Sequence, residues 1–311
     1  MTTPYRIACA LALLTPPLLA QAQRRGRDRE ARSDDERSVT VAGTTRTFVV
    51  RAPRNATRPL PVVLVFHGGG GNAANAEQMS GFTRLVEREG LIAVYPNGSG
   101  RLGERLLTWN AGHCCGYAMD RRVDDVAFVD AIIDVLARER AIDTGRIYLT
   151  GMSNGGMITH YLAARMRHRP AAIAPVVGAV FGDEPSPASP VSAIIFNGLL
   201  DTSVPAKGGL GDGLGRRAWD GTPPRPNEAQ GEYWARSARC VDTPQRTEDA
   251  RVIHWMWTCP DGRAVELHQI KDNGHAWPGG RAGRRGANAP SDAMDATEAM
   301  WAFFKTKRAN G

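Results

Sequence analysis

The chain has 311 residues, 42% of them hydrophobic, and carries a formal net charge of +7. That length holds one large α/β domain or two small ones, and the apolar fraction is that of a soluble protein able to bury a core. The basic residues are not clustered with any groove-reading motif, which argues against nucleic acid as a partner, and no segment after the N-terminus reaches the roughly eighteen apolar residues of a membrane span.

Along the chain, Arg6 precedes an apolar run over residues 7–20, and Ala20-Gln21-Ala22 supplies a small-x-small cleavage site, so residues 1–22 read as a signal peptide. Residues 23–37 mix six Arg with five Asp and Glu without apolar periodicity and read as a disordered leader. From residue 38 to 308, short β-type runs alternate with helical patterns and no linker intervenes, which predicts one α/β domain with a mainly parallel sheet and helices on both faces. Strands are expected at 39–41 and 47–51 around a turn at Gly43, then at 61–66, whose unbroken apolar character suits a strand buried on both faces. A helix around 80–89 and a strand at 91–95 follow. Residues 123–140 have helical periodicity, with Asp124 or Asp125 placed at the helix start. Further strands are expected at 147–150, 172–177, 193–196 and 265–270, and a closing helix at 292–305. Residues 205–227 are rich in Gly and Pro without periodicity, as in a lid, a binding loop or a plain insertion.

Chemistry gathers where the strand at 147–150 meets the next helix. There Gly151-Met152-Ser153-Asn154-Gly155 places a hydroxyl on a sharp turn, a geometry that needs small neighbours. A serine hydroxyl is a weak nucleophile at neutral pH and requires a base, itself oriented by an acid. His275, in a turn-rich loop after the last expected strand, is the favoured base; His254 and His268 lie inside strand-like runs that suit core or surface positions. Asp201 follows the strand at 193–196 at its carboxyl end, where sites gather in open α/β sheets, and is favoured over Asp183, Asp212 and Asp272. For an oxyanion hole the candidates are the backbone amides of Asn154 and of Gly69 in His67-Gly68-Gly69-Gly70-Gly71. Trp277 and Trp109 are candidates for an apolar wall around an acyl group, or else core residues. Arg216, Arg217, Arg225, Arg281, Arg284 and Arg285 lie in loops near the expected site, as a solvated surface or an anion-attracting rim.

Five cysteines remain to be placed. Cys9 would leave with the signal peptide, and the other four form an even set suited to an oxidising compartment, so a secreted or periplasmic location is expected. Cys240 with Cys259 is the preferred bridge, and Cys114 and Cys115 either form a vicinal ring or stay reduced. Adjacent cysteines lack the spacing of zinc ligands, and neither metal nor cofactor is expected.

The set formed by His67-Gly68-Gly69-Gly70-Gly71-Asn72, Trp109-Asn110-Ala111-Gly112 with Cys114-Cys115-Gly116, Val123-Asp124-Asp125-Val126, Gly151-Met152-Ser153-Asn154-Gly155-Gly156 and Gly274-His275-Ala276-Trp277-Pro278-Gly279 resembles the secreted polyhydroxybutyrate depolymerase-like esterases, kin of feruloyl and acetylxylan esterases. The likeness spans residues 38–306 and departs from the family at Asn197-Gly198, where His-Gly is frequent. It implies an α/β-hydrolase fold, no cofactor, and Ser153, Asp201 and His275 as nucleophile, acid and base. The implied substrate is an ester, either hydroxybutyrate oligomers or a feruloylated or acetylated plant polysaccharide. A serine peptidase of the same fold and a non-catalytic exported binding protein are the competing expectations.

Overall fold

The computed structural model describes residues 36–103, 105–212, 218–283 and 287–309. The expected signal peptide, and all but the end of the expected leader, lie outside the described residues. Within them the strands are β1 (Glu36–Val41), β2 (Thr44–Arg51), β3 (Leu60–Phe66), β4 (Ile92–Pro96), β5 (Ile142–Met152), β6 (Ala172–Val176), β7 (Ser192–Gly198), β8 (Gln245–Glu248), β9 (Val252–Thr258) and β10 (Ala264–Ile270). They form one open sheet in the order β1-β2-β4-β3-β5-β6-β7-β10-β9-β8. From β4 to β10 the neighbours are parallel, and antiparallel pairs β2–β4, β10–β9 and β9–β8 finish the two ends.

The helices are α1 (Ala73–Ser80), α2 (Thr83–Leu85), α3 (Gly116–Asp120), α4 (Asp125–Glu139), α5 (Asn154–Ala163), α6 (Glu228–Ser237) and α7 (Ala296–Phe304). Why the sheet is covered twice follows from β3. Every residue of this strand is buried, and alternate side chains enter different cores. Val62, Leu64 and Phe66 join Phe128, Ile132 and Leu136 of α4, Ile158 and Leu162 of α5 and Trp234 of α6. Val63 and Val65 join Ala76 and Met79 of α1 and Met300 and Phe304 of α7. An all-apolar strand is stable only between two such layers, so the α/β-hydrolase architecture expected from the sequence is the one formed.

Local departures have local causes. The helix expected at 80–89 is α1 ending at Ser80, then the short α2 and a π turn over Val86–Gly90, because Gly81 caps α1 and interrupts the helix there. The closing helix starts at Ala296, where Asp295 accepts the Glu298 amide at 3.1 Å as an N-cap. At α4, Asp124 alone is the cap, accepting the Ala127 amide at 2.8 Å. Asp125 turns inward instead. Its carboxylate is buried, accepting Arg46 at 2.9 Å and the Asn110 amide at 2.8 Å, and so ties β2 and the 97–111 loop to α4. Burial raises its pKa against the opposing pull of Arg46. Cys240 and Cys259 are disulfide-bonded, fastening the end of α6 to the end of β9, and Cys114 and Cys115 are also joined.

Candidate active site

β5 delivers Met152, α5 begins at Asn154, and Ser153 lies between them with φ 59° and ψ −123°. A non-glycine residue holds such a conformation only where its surroundings over-determine it. The surroundings here are two glycines with no room for a side chain. A Cβ on Gly151 would run into the carbonyl of Gly155, and a Cβ on Gly155 would fall on the carbonyl oxygens of Phe66 and His67 at the end of β3. The Ser153 amide donates to Val176 O at 2.9 Å, pinning the turn to β6 as well.

The chain ends of β7 and β10 bring the other two groups. His275 Nε2 lies 2.8 Å from Ser153 Oγ, and its Nδ1 lies 2.7 Å from Asp201 Oδ2. With a carboxylate against Nδ1, the ring proton belongs there, which leaves the Nε2 lone pair to accept from the serine hydroxyl. The Asp201 side chain is almost wholly buried but satisfied: Oδ1 accepts the amides of Ser203 and Val204 at 2.8 and 2.9 Å. Its competitors are engaged elsewhere, Asp183 with His113 and Asp272 with Arg251 and Ser291.

Two asparagines shape the histidine loop, and neither stood out in the sequence. Asn288 Oδ1 accepts the His275 amide at 2.8 Å. Asn273 donates to the carbonyls of Gly274 and Ala276, both at 2.9 Å, while its oxygen accepts the Ser291 amide at 3.0 Å. Asn273 lies in the turn-rich loop beside the histidine; Asn288, 13 residues beyond the histidine it holds, carries no local signal.

A cavity of about 310 Å³ opens over Ser153 and His275, walled by Gly68, Gly69, Met79, Met152 and Trp277, with Asn75, Arg281 and Asn288 also on its lining. His67, at the root of the glycine loop, is buried, and burial pushes its pKa down to about 4, against the effect of Gly68. Neutral, it donates from Nδ1 to Gly68 O at 2.8 Å and accepts the Gly98 amide on Nε2 at 3.0 Å, which fixes the loop that presents Gly69. The Asn154 amide heads α5, where backbone N–H groups have no partner within the helix.

Trp109 requires a correction. It is fully buried, off the cavity wall, and its indole donates to His67 O at 3.0 Å. The Asn154 side chain brackets the backbone of the same residue, accepting Trp109 N at 2.8 Å and donating to Trp109 O at 3.1 Å. A tryptophan whose polar atoms brace the glycine loop from below is not free to face an acyl group. Trp277 borders the cavity but is itself buried, donating to Thr297 Oγ1 at 3.0 Å. Of the six arginines, Arg281 lines the cavity, Arg225 packs on Gly182 away from it, and Arg216, Arg217, Arg284 and Arg285 lie outside the described residues.

With this geometry in place, comparison with known proteins is informative. The family described as esterase PHB depolymerase matches residues 47–203. This chain belongs to that family. Feruloyl esterase B of Piromyces equi is 27% identical over 248 residues, covering 76% of this chain and 44% of its own length. A putative esterase, NocK, of Nocardia uniformis subsp. tsuyamanensis is 29% identical over 263 residues, covering 78% of this chain and 74% of its own. The chain therefore spans less than half the length of the first of these relatives. An acetyl xylan esterase structure from Aspergillus awamori superposes with a TM-score of 0.59 at 14% identity, covering 87% of this chain and 99% of that one, which supports the esterase family's fold. No helix among the described residues is long and apolar enough to cross a membrane.

Proposed function

We propose that the protein is an exported serine carboxylic-ester hydrolase with Ser153 as nucleophile, His275 as general base and Asp201 as the acid that orients it. The observation that carries this is the unbroken contact from Ser153 Oγ through His275 to Asp201, at 2.8 and 2.7 Å, with Ser153 and His275 lining an open cavity. As Ser153 Oγ bonds to the ester carbonyl carbon, its proton passes to His275 Nε2, and the imidazolium is stabilised by Asp201. Negative charge moves to the carbonyl oxygen, for which the amides of Asn154 and Gly69 are the aimed donors. Collapse releases the alcohol with the proton from His275 and leaves an acyl-enzyme, which water hydrolyses by the same route. Export is supported by the signal-like N-terminus and the two disulfides.

The substrate we favour is a hydroxybutyrate oligomer or polyhydroxybutyrate, in keeping with the family to which the chain belongs. A second reading, feruloyl or acetyl esters of plant cell-wall polysaccharide, is favoured by the names of its relatives. The cavity is at the small end of ligand pockets. Ser153→Ala should lower kcat on p-nitrophenyl butyrate by about 10⁶-fold with an unchanged circular dichroism spectrum. Turnover above about 1% of wild type would overturn the assignment, because residual rates in such variants come from binding and the oxyanion donors alone. Comparing kcat/KM for hydroxybutyrate oligomers, methyl ferulate and acetylated xylan decides between the two substrate classes.

A further inference from the structure

Among the described residues that line the Ser153 cavity there is one Arg, Arg281, and no Lys, Asp or Glu. The two histidines on the same lining do not alter that balance at rest: burial keeps His67 neutral, and His275 takes a proton from Ser153 only as the reaction proceeds. Carboxylates in the surrounding chain are spent on other arginines. Asp295 accepts Arg84 at 2.6 Å, and Arg251 holds Asp272 at 2.9 Å and Asp292 at 2.6 Å. The Arg281 guanidinium has no ion-pair or hydrogen-bond partner among the described residues.

The root of this side chain is fixed. The Arg281 amide donates to Met79 O of α1 at 3.1 Å, and the Gly280 amide donates to Trp277 O at 3.0 Å. Gly280 packs so tightly on Met79 O and the Trp277 ring that a Cβ there would collide with both. Two asparagines on the cavity lining have also committed their acceptors. Asn75 Oδ1 accepts the Asn72 amide at 3.1 Å and Asn288 Oδ1 accepts the His275 amide at 2.8 Å, so each presents only its NH₂ group as a free donor. A cavity with a cation and spare donors, and without a carboxylate of its own, favours a substrate that brings the negative charge.

We infer, on the serine-esterase reading above, that Arg281 pairs with a free carboxylate on the alcohol part of the ester, so that the preferred substrates are short hydroxy-acid oligomers cut at the bond next to their acid end. In a hydroxybutyrate oligomer every ester bond has its acyl side toward the free hydroxyl and its alcohol side toward the free carboxylate, only a few bonds away in the last unit. As Ser153 Oγ bonds to the acyl carbon, the bond to the alcohol oxygen breaks. That oxygen takes the proton from His275, and free hydroxybutyrate leaves with its carboxylate. A planar guanidinium can hold a carboxylate through two parallel hydrogen bonds, which a lysine cannot reproduce. A long polymer offers one such end among many internal bonds, so the pairing turns the site toward oligomers and chain ends.

The test compares the hydroxybutyrate dimer as free acid with its terminal carboxamide, a neutral compound of the same shape, following scission of the internal ester by chromatography. Wild-type kcat/KM should be roughly 5–10-fold higher for the acid, mainly through KM, because the pair forms with substrate and transition state alike. Arg281→Gln should remove that preference, and Arg281→Lys should restore part of it. Sodium chloride at about 0.5 M should shrink the wild-type ratio and leave that of Arg281→Gln unchanged. Equal turnover of acid and amide by the wild type, or a preference that survives in Arg281→Gln, would overturn the role of Arg281 while the esterase reading stands. If neither dimer is cut but p-nitrophenyl butyrate is, the hydroxy-acid substrate class falls together with this role. Failure on all three esters would sink the esterase reading itself.

Discussion

The two halves of the candidate active site are built by different means. On the Ser153 side, the turn is imposed by short-range sterics: Ser153 at φ 59° is flanked by glycines at which an added Cβ would collide with backbone. On the His275 side, the loop is irregular and is held by polar contacts from residues 273, 288 and 291. Backbone collisions cannot be relieved by a small shift, whereas a lost hydrogen bond lets a loop drift while the sheet remains. The first half is therefore expected to fail by unfolding and the second by losing rate.

The largest effect expected from this contrast is at Gly155. Gly155→Ala forces a methyl group onto the carbonyl oxygens of Phe66 and His67, atoms of a central strand and the loop that follows it. Overpacking against backbone should cost at least about 3 kcal/mol, at or beyond the upper end of ordinary core insertions. Urea denaturation gives the value directly. Wild-type stability and activity in this variant would show that the turn tolerates a side chain and that the steric account of the Ser153 half is wrong.

Asn288→Ala probes the other half. Removing the acceptor for the His275 amide leaves β10 and Asp201 in place, so stability should change by about 1 kcal/mol. The imidazole should lose its registration with Ser153, lowering kcat on the order of 10–100-fold with KM little changed. An unfolded variant, or one with full kcat, would erase the distinction between the two halves.

The same contrast explains what was legible in the amino-acid sequence. The buried strands β3, β5, β7 and β10, the turn at Ser153, and the placement of Asp201 and His275 after later strands all follow from residues adjacent in the chain, and three distant side chains could be brought together on that basis. The roles of Trp109, Asp125 and Asn288 could not. Asp125 has the composition of a helix cap, and only the packing of β2 shows that its carboxylate belongs to Arg46, 79 residues away. Trp109 looks like an aromatic wall until its indole is seen to brace His67, 42 residues upstream. The stacking of His254 on His268 was hidden for the same reason: both lie in strand-like runs, but they become neighbours only through the register of β9 and β10.

The smallest expected effect concerns a contact that joins the loop before α3 to the long 205–227 insertion. His113 Nδ1 lies 2.7 Å from Asp220 and its Nε2 lies 2.8 Å from Asp183, so both ring nitrogens face carboxylates and the imidazolium is the form that fits. Burial opposes the charge, but the bonds to Asp183 and Asp220 outweigh it and raise the His113 pKa above its ordinary 6.5. A base whose folded pKa is raised contributes stability fully below its unfolded value and loses it as pH rises through the folded value. His113→Gln should therefore be less stable than wild type by about 1 kcal/mol or less at acidic pH, since both carboxylates are well exposed, and the deficit should vanish in alkaline solution. Urea midpoints of both proteins on either side of neutrality measure it. A deficit independent of pH would assign His113 to packing against Phe181, 4.9 Å away, and leave the two loops coupled by shape and not by charge.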